Sequence, residues 1–339
     1  IWFRTDNSIV GPDSQNHLFF SINFFYELSD VIHENTFSIW KKLIKTINLL
    51  GRPTGHESVY WPNGLNLTAS VFYFLLGRSL FSAKLSLLPY LFILLFSTYL
   101  IGRLIFSNSV GLLAIFLLFM YPIIFGSSRQ YQLDFPLTAM VTLNILLLIK
   151  CNYFQDRKYS LFSGLSLGWA MLIKGQAILF IIWPLLPVLY TTLKNPGKEM
   201  GEYTLSSRQL QNMAIFIVVA SLLASIWWAP HTVGAIHSLK EHIFSAKKSV
   251  ESSWYWSEKY SLNSVSFHLK ALSSSLSPPL YMAFLFSFIF FLKQKVKYKA
   301  ICLSWLIPPF LVFSLVFTIK HARFLMPVLP VMALITAWG

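Results

Sequence analysis

Charge is scarce in this chain. Only 12% of its 339 residues are Asp, Glu, Lys or Arg, about half the usual share of a soluble domain. With 55% apolar and 17% aromatic residues, that scarcity excludes an ordinary soluble globule. The 31 Phe, 15 Tyr and 11 Trp also exclude a disordered chain, because so much apolar surface does not stay solvated. Acidic residues are scarcer still, 13 against 27 Lys and Arg, for a formal net charge of +14. On a soluble domain this excess would suggest nucleic acid. On a membrane chain it means anionic headgroups, basic cytoplasmic loops or a phosphate-bearing substrate, so no nucleic-acid partner is expected. Cysteine is nearly absent. Cys151 and Cys302 stand far apart without CxxC spacing, which excludes a disulfide framework or a zinc site. No leader pattern precedes Ile1-Trp2-Phe3-Arg4, and the chain stops inside an apolar run at Thr336-Ala337-Trp338-Gly339. A fragment of a longer protein, lacking its first helix and its carboxyl end, is therefore expected.

What is abundant is apolar runs. A helix needs roughly 20 apolar residues to cross the ~30 Å hydrocarbon core. Candidate spans lie near 84–106, 110–127, 135–150, 160–173, 176–193, 213–230, 279–292, 300–319 and 324–338. The expected fold is an all-α, polytopic transmembrane helical bundle. Residues 1–83 read as an exoplasmic loop with interfacial helices, with 63–80 apolar but short. Residues 84–339 read as the bundle of about nine spans, interrupted by an exoplasmic loop at 231–278 that carries Trp254-Tyr255-Trp256. Lys150, Arg157 and Lys158 close one connection, Lys194, Lys198 and Arg208 another, and Lys293, Lys295, Lys297 and Lys299 a third. If the segments alternate, all three fall on one side, which the positive-inside rule makes cytoplasmic.

The remaining ionisable clusters then fall on the opposite face. Arg129 and Asp134 occupy a short turn, Lys174 interrupts the run from 160 to 193, and Lys320, His321 and Arg323 separate the last two segments. An unbroken helix over that run would be ~51 Å long, too long for one span, so a turn is predicted at Lys174. Asp13 and His17 of the first loop join this face. Ionisable groups at membrane depth cost on the order of 2.5–3.5 kcal/mol each and usually mark a functional path. Fixed Arg and Lys side chains suit a lipid phosphate, and a carboxylate facing it suits proton abstraction from an attacking hydroxyl. The chemistry implied is group transfer from a membrane-lipid phosphate to a hydroxyl.

The order of these motifs also carries a resemblance. Gly11-Pro12-Asp13-Ser14 is followed by Tyr60-Trp61-Pro62, Arg129-x4-Asp134, Gly164-x3-Gly168-x5-Lys174-Gly175 and His321-Ala322-Arg323-Phe324-Leu325-Met326-Pro327. The set resembles the GT-C membrane glycosyltransferases, specifically the dolichyl-phosphate-mannose protein mannosyltransferase and lipid A aminoarabinose transferase superfamily, over nearly the whole chain. The resemblance implies a hexosyl- or pentosyl-type transferase that takes a sugar from a polyprenyl-phosphate-linked donor. Transfer, with inversion, would be to a hydroxyl acceptor (glycolipid, polysaccharide or protein) at the exoplasmic face. The enzyme would sit in the plasma membrane of a bacterium or the endoplasmic reticulum of a eukaryote. The resemblance makes Asp13 the catalytic carboxylate, as general base or as the group that orients the acceptor, and places Lys174 and Arg323 at the donor phosphate. By charge and position Arg129 is expected to join them there, with Asp134, His321 and His17 supporting the site. The sequence departs from the family where Ser14 follows Asp13 in place of the common Glu.

Each candidate also has an ordinary role open to it. Asp13 follows Gly-Pro, where Asp favours a turn. Asp134 stands where a helix cap would, with Pro136 in the first turn. Arg129 is placed to pair with Asp134 or to meet headgroups, and Lys174 to snorkel to the interface. His17 is a lone imidazole. No spacing of His and carboxylates describes a metal cage, so no cofactor is expected and metal dependence stays open. A transporter or flippase of a lipid-linked or anionic solute is the alternative function. Against it, no internal repeat is visible and the ionisable clusters sit at helix ends rather than at the midplane.

Overall fold

The computed structural model describes residues 12–34, 38–53, 61–194, 207–234, 236–237, 240, 255–256, 262–317 and 319–339. Residues 1–11, Tyr60, Lys198 and Trp254, named above, lie outside them. The described part is almost entirely helical. Two helices come first, α1 (Pro12–His33) and α2 (Ile39–Leu50), then α3 (Gly64–Leu76) and the short α4 (Leu80–Leu85). The bundle continues with α5 (Leu88–Ile105), α6 (Asn108–Met120), α7 (Pro122–Ser127), α8 (Asp134–Lys150), α9 (Arg157–Ile173), α10 (Ala177–Lys194) and α11 (Ser207–Trp228). It closes with α12 (Leu262–Leu276), α13 (Pro278–Lys293), α14 (Lys299–Leu311), a π-turn (Val312–Val316), a 3-10 segment (Ala322–Val328) and α15 (Leu329–Trp338).

Local chemistry explains most boundaries. Ser38, Ser79, Ser107 and Asp156 each cap a helix, their side chains accepting from the backbone N–H of Lys41, Ser82, Val110 and Tyr159, which satisfies donors that have no partner inside the helix. Proline opens α5, α7, α13 and α15, where its missing N–H costs nothing. The run expected at 110–127 is split at Pro122 into α6 and α7. The loop expected over 231–278 contains a helix, α12, which meets α13 at a 112° bend. At that corner Ser277 adopts φ 75° immediately before Pro278, a backbone that ends one helix and starts the next.

By length and composition, Leu80–Ile105, Ala177–Lys194, Ser207–Trp228 and Lys299–Val316 are long and apolar enough to cross a membrane, and the bent α12–α13 pair would make a fifth. Their outer faces are apolar and uncovered, as with Leu210, Ile217 and Leu222 of α11 and Met282, Phe286 and Phe290 of α13. Such surfaces face lipid rather than water. The chain is an integral membrane protein.

The middle of the bundle is α8, buried along nearly its whole length from Asp134 to Ile149. It lies against α5, α9, α10 and the 3-10 segment, while α9 also packs along α11. That contact depends on two glycines. A Cβ on Gly164 would come within 2.8 Å of the Phe216 carbonyl oxygen, and one on Gly168 within 2.5 Å of Leu223 Cβ. At one end of the bundle the turn after α8 has three consecutive left-handed residues, Asn152, Tyr153 and Phe154. Its carbonyls are held from other connections. Thr192 and Gln209 donate to Tyr153 O, and Asn212 donates to Phe154 O at 2.8 Å. Lys297 and Tyr298 lie within electrostatic reach of the same turn. The ends of α10 and α11 that flank one basic connection therefore meet the turn of another.

Candidate active site

The opposite end of α8 begins with Asp134, and α9 finishes there with Lys174 as its C-terminal cap. The helix breaks at Lys174, as length demanded. Both side chains are almost fully buried, and Lys174 Nζ lies 2.6 Å from Asp134 Oδ1. The other carboxylate oxygen, Oδ2, faces Arg323 Nε at 3.3 Å. Arg323 Nη2 in turn makes an ion pair with Asp13 Oδ2. Four charged groups from α1, α8, the end of α9 and the 3-10 segment thus form one chain, Asp13–Arg323–Asp134–Lys174. Their formal charges cancel. A buried ionic cluster of this kind is tolerated only because each member has a partner.

Aromatic and polar neighbours hold the cluster in place. Lys174 Nζ sits 5.5 Å from the Trp61 ring centroid and 5.2 Å from that of Phe324, within cation–π range. His17 meets Trp61 edge-on at 5.5 Å between centroids. Burial lowers the His17 pKa to about 4. His321 is also lowered to about 4, first by burial and then by the neighbouring Arg323 charge. Both imidazoles are therefore neutral at physiological pH. His321 has a local role, its Nδ1 accepting from Arg323 N at 3.3 Å and so starting the 3-10 turn. Ser14 is buried and accepts from Gln132 Nε2 at 2.8 Å. That bond ties α1 to the turn preceding Asp134.

Of the sequence candidates, Asp13, Asp134, Lys174 and Arg323 come together in one network, with His17 and His321 beside it. Arg129 stacks instead over Phe125, its guanidinium carbon 3.4 Å from the ring centroid, while Asp134 takes Lys174 and Arg323. Motif reading singled out neither Phe324 nor Gln132 as a site residue, and no periodicity or spacing marks them. Among the described residues, no three of His, Cys, Asp and Glu are grouped to hold a metal ion.

The arrangement combines two cations able to bind a phosphate with a carboxylate, Asp13, that is more exposed than its partners, at 35% of its side chain against 6% for Asp134. The family model for dolichyl-phosphate-mannose-protein mannosyltransferase matches residues 62–228. The fold matches ArnT from Cupriavidus metallidurans in the apo state with a TM-score of 0.68 at 16% identity, over 97% of this chain and 55% of that one. The same protein bound to undecaprenyl phosphate matches with a TM-score of 0.70 at 17% identity, over 99% of this chain and 57% of that one.

The family match covers just under half of the chain, and the chain shares the fold of these solved structures. The archaeal oligosaccharyltransferase AglB from Archaeoglobus fulgidus, solved with an inhibitory peptide and a dolichol-phosphate, also matches this fold. Its TM-score is 0.52 at 12% identity, over 94% of this chain and 46% of that one. This chain spans about half the length of these solved relatives. Comparison with curated protein sequences gives no match.

Proposed function

We propose that the chain is the membrane-embedded catalytic part of a glycosyltransferase that moves a sugar from a polyprenyl-phosphate-linked donor to a hydroxyl acceptor at the exoplasmic face. The observation that carries this reading is the pairing of Lys174 and Arg323 around Asp134, with Asp13 on the open side of Arg323. Lys174 and Arg323 bind the donor phosphate by charge-assisted hydrogen bonds. Asp13 takes the proton of the acceptor hydroxyl as its oxygen attacks the anomeric carbon. The bond from that carbon to the phosphate oxygen breaks on the opposite face, so configuration inverts. The negative charge left on the phosphate is held by the two cations. Asp134 keeps both cations in place between turnovers. Arg129 lies on the same face of the expected topology and meets the donor's outer phosphate oxygens or neighbouring headgroups.

The relative solved with undecaprenyl phosphate supports a lipid-phosphate ligand for this fold. The acceptor is a glycolipid, a polysaccharide or a protein, and the transferred group a hexosyl or pentosyl sugar. The bundle crosses the membrane about nine times, in the plasma membrane of a bacterium or the endoplasmic reticulum of a eukaryote. The test is to incubate full-length protein in membranes with a panel of labelled polyprenyl-phosphate sugars and identify the label consumed. Lys174→Ala and Asp13→Asn are expected to abolish transfer with expression intact. Near-normal transfer by both variants would remove the site assignment.

A further inference from the structure

Lys320 has no place in the chemistry above, yet its side chain is among the most buried in the protein. It is 0% exposed. Its Nζ donates to the carbonyl oxygens of Phe313 at 2.7 Å, Ser314 at 2.8 Å and Phe317. An ammonium has three donors, and all three are engaged by carbonyls. Burial pushes its pKa down to about 8, which leaves it mostly protonated at neutral pH.

Those carbonyls belong to the π-turn Val312–Val316 and its exit. A helix end leaves its last carbonyls without intrahelical partners, and positive charge there is favourable. π-turns are rare and concentrate at functional sites. Here the turn follows Pro308 and Pro309 inside α14, which withdraw two backbone donors just upstream. Ser314 is fixed from a second side, its Oγ lying 3.2 Å from Nδ1 of the buried His268 on α12. Beyond the π-turn, the strand β2 (Ile319–Lys320) pairs antiparallel with β1 (Tyr255–Trp256), with Lys320 opposite Tyr255. Arg323 follows three residues later.

We propose that Lys320 is the positioning residue for Arg323: by cross-linking the π-turn to the start of the next segment, it fixes the angle at which the guanidinium reaches the site. Lys320 touches three carbonyls of its own chain and acts on a ligand only through Arg323. The inference rests on the reading of Arg323 as a phosphate-binding residue. Removing the ammonium leaves three buried carbonyls without their donor, and the bend relaxes. Misplacement of a binding group by about 1 Å can cost up to 10²-fold.

The experiment measures binding of undecaprenyl phosphate to full-length protein in detergent, for wild type, Lys320→Met, Arg323→Ala and the double variant. Lys320→Met is expected to weaken binding about tenfold, and the double variant to bind no worse than Arg323→Ala alone, because a positioning residue loses its effect when the group it positions is gone. Binding by Lys320→Met equal to wild type, or additive losses in the double variant, overturns the inference while leaving the phosphate site intact. If wild type fails to bind, or Arg323→Ala binds as well as wild type, the phosphate site itself is wrong and this inference falls with it. Should Lys320→Met not fold, Lys320→Gln, which keeps two donors, reads the same comparison, with Lys320→Arg expected to restore binding to within threefold of wild type.

Discussion

Removing the candidate catalytic carboxylate is expected to tighten the binding of the lipid phosphate. Arg323 is engaged by Asp13 and Asp134, and Lys174 by Asp134. A phosphate must therefore displace a carboxylate before it reaches Arg323. Asp13 is the one displaced, since 35% of its side chain is exposed, whereas Asp134 is 6% exposed and sits between both cations. Once displaced, Asp13 still faces the phosphate as a like charge. At a separation of ~6 Å and an effective dielectric constant of about 20 to 40, the repulsion is roughly 1.4–2.8 kcal/mol. Solvent exposure favours the lower figure, which corresponds to about tenfold in affinity. Asp13→Asn keeps shape and hydrogen bonding while removing the charge. Titration of undecaprenyl phosphate against wild type and Asp13→Asn should show about tenfold tighter binding by the variant, together with complete loss of sugar transfer. The gain should shrink as ionic strength rises, because the interaction is partly exposed. Unchanged or weaker binding by Asp13→Asn would refute the competition. A residual transfer rate near wild type would refute the role of the carboxylate.

Other consequences are equally direct. Lys174→Met should lower thermal stability by about 3–5 kcal/mol, because it leaves Asp134 buried beside a single partner; adding Asp134→Leu should return most of that stability without returning phosphate binding. Gly168→Val places a branched side chain where Leu223 Cβ already lies within 2.5 Å of a Cβ, and should cost about 1–3 kcal/mol, seen as reduced yield of monodisperse protein. His17 is held neutral by burial, with its pKa lowered to about 4, so the folded state binds fewer protons than the unfolded state between pH 4 and the ordinary imidazole value of about 6.5. Its contribution is complete above about pH 6.5 and is lost as pH falls towards 4, at up to roughly 1.4 kcal/mol per pH unit. Thermal unfolding against pH should show that slope flattened in His17→Phe, and an identical slope in the variant would exclude His17 as its source.

How much of this was legible beforehand depends on the range of the interaction. The break at Lys174 follows from helix rise against bilayer thickness, and the start of α8 at Asp134 from a polar residue ahead of an apolar run. The glycines of the Gly164-x3-Gly168 motif form a visible pattern in the sequence, but their physical reason, the close approach of α11, appears only in three dimensions. Of the two ordinary roles open to Arg129, pairing with Asp134 or meeting headgroups, proximity in sequence does not choose, and the partners of Asp134 are Lys174 and Arg323. Periodicity also passed over α12. Its Ser-rich stretch reads as loop until packing against α13 and the π-turn supplies the burial that propensity lacks. Lys320 reads only as part of the polar break between the last two segments, since tertiary structure alone reveals the carbonyls gathered around its ammonium.

The span of the Asp13–Arg323 pair bears on how the protein is made. The two residues are 310 positions apart, whereas Lys174 and Asp134 are separated by 40 and sit on consecutive helices. Asp134 and Lys174 can neutralise one another as soon as the α8–α9 hairpin enters the bilayer, long before Arg323 has been synthesised. Asp13 has to wait on its side of the membrane until the last segments arrive. Ribosome-stalled chains that end before residue 323 should therefore already hold the inner pair, and the outer pair closes last, once the final segments have joined the bundle.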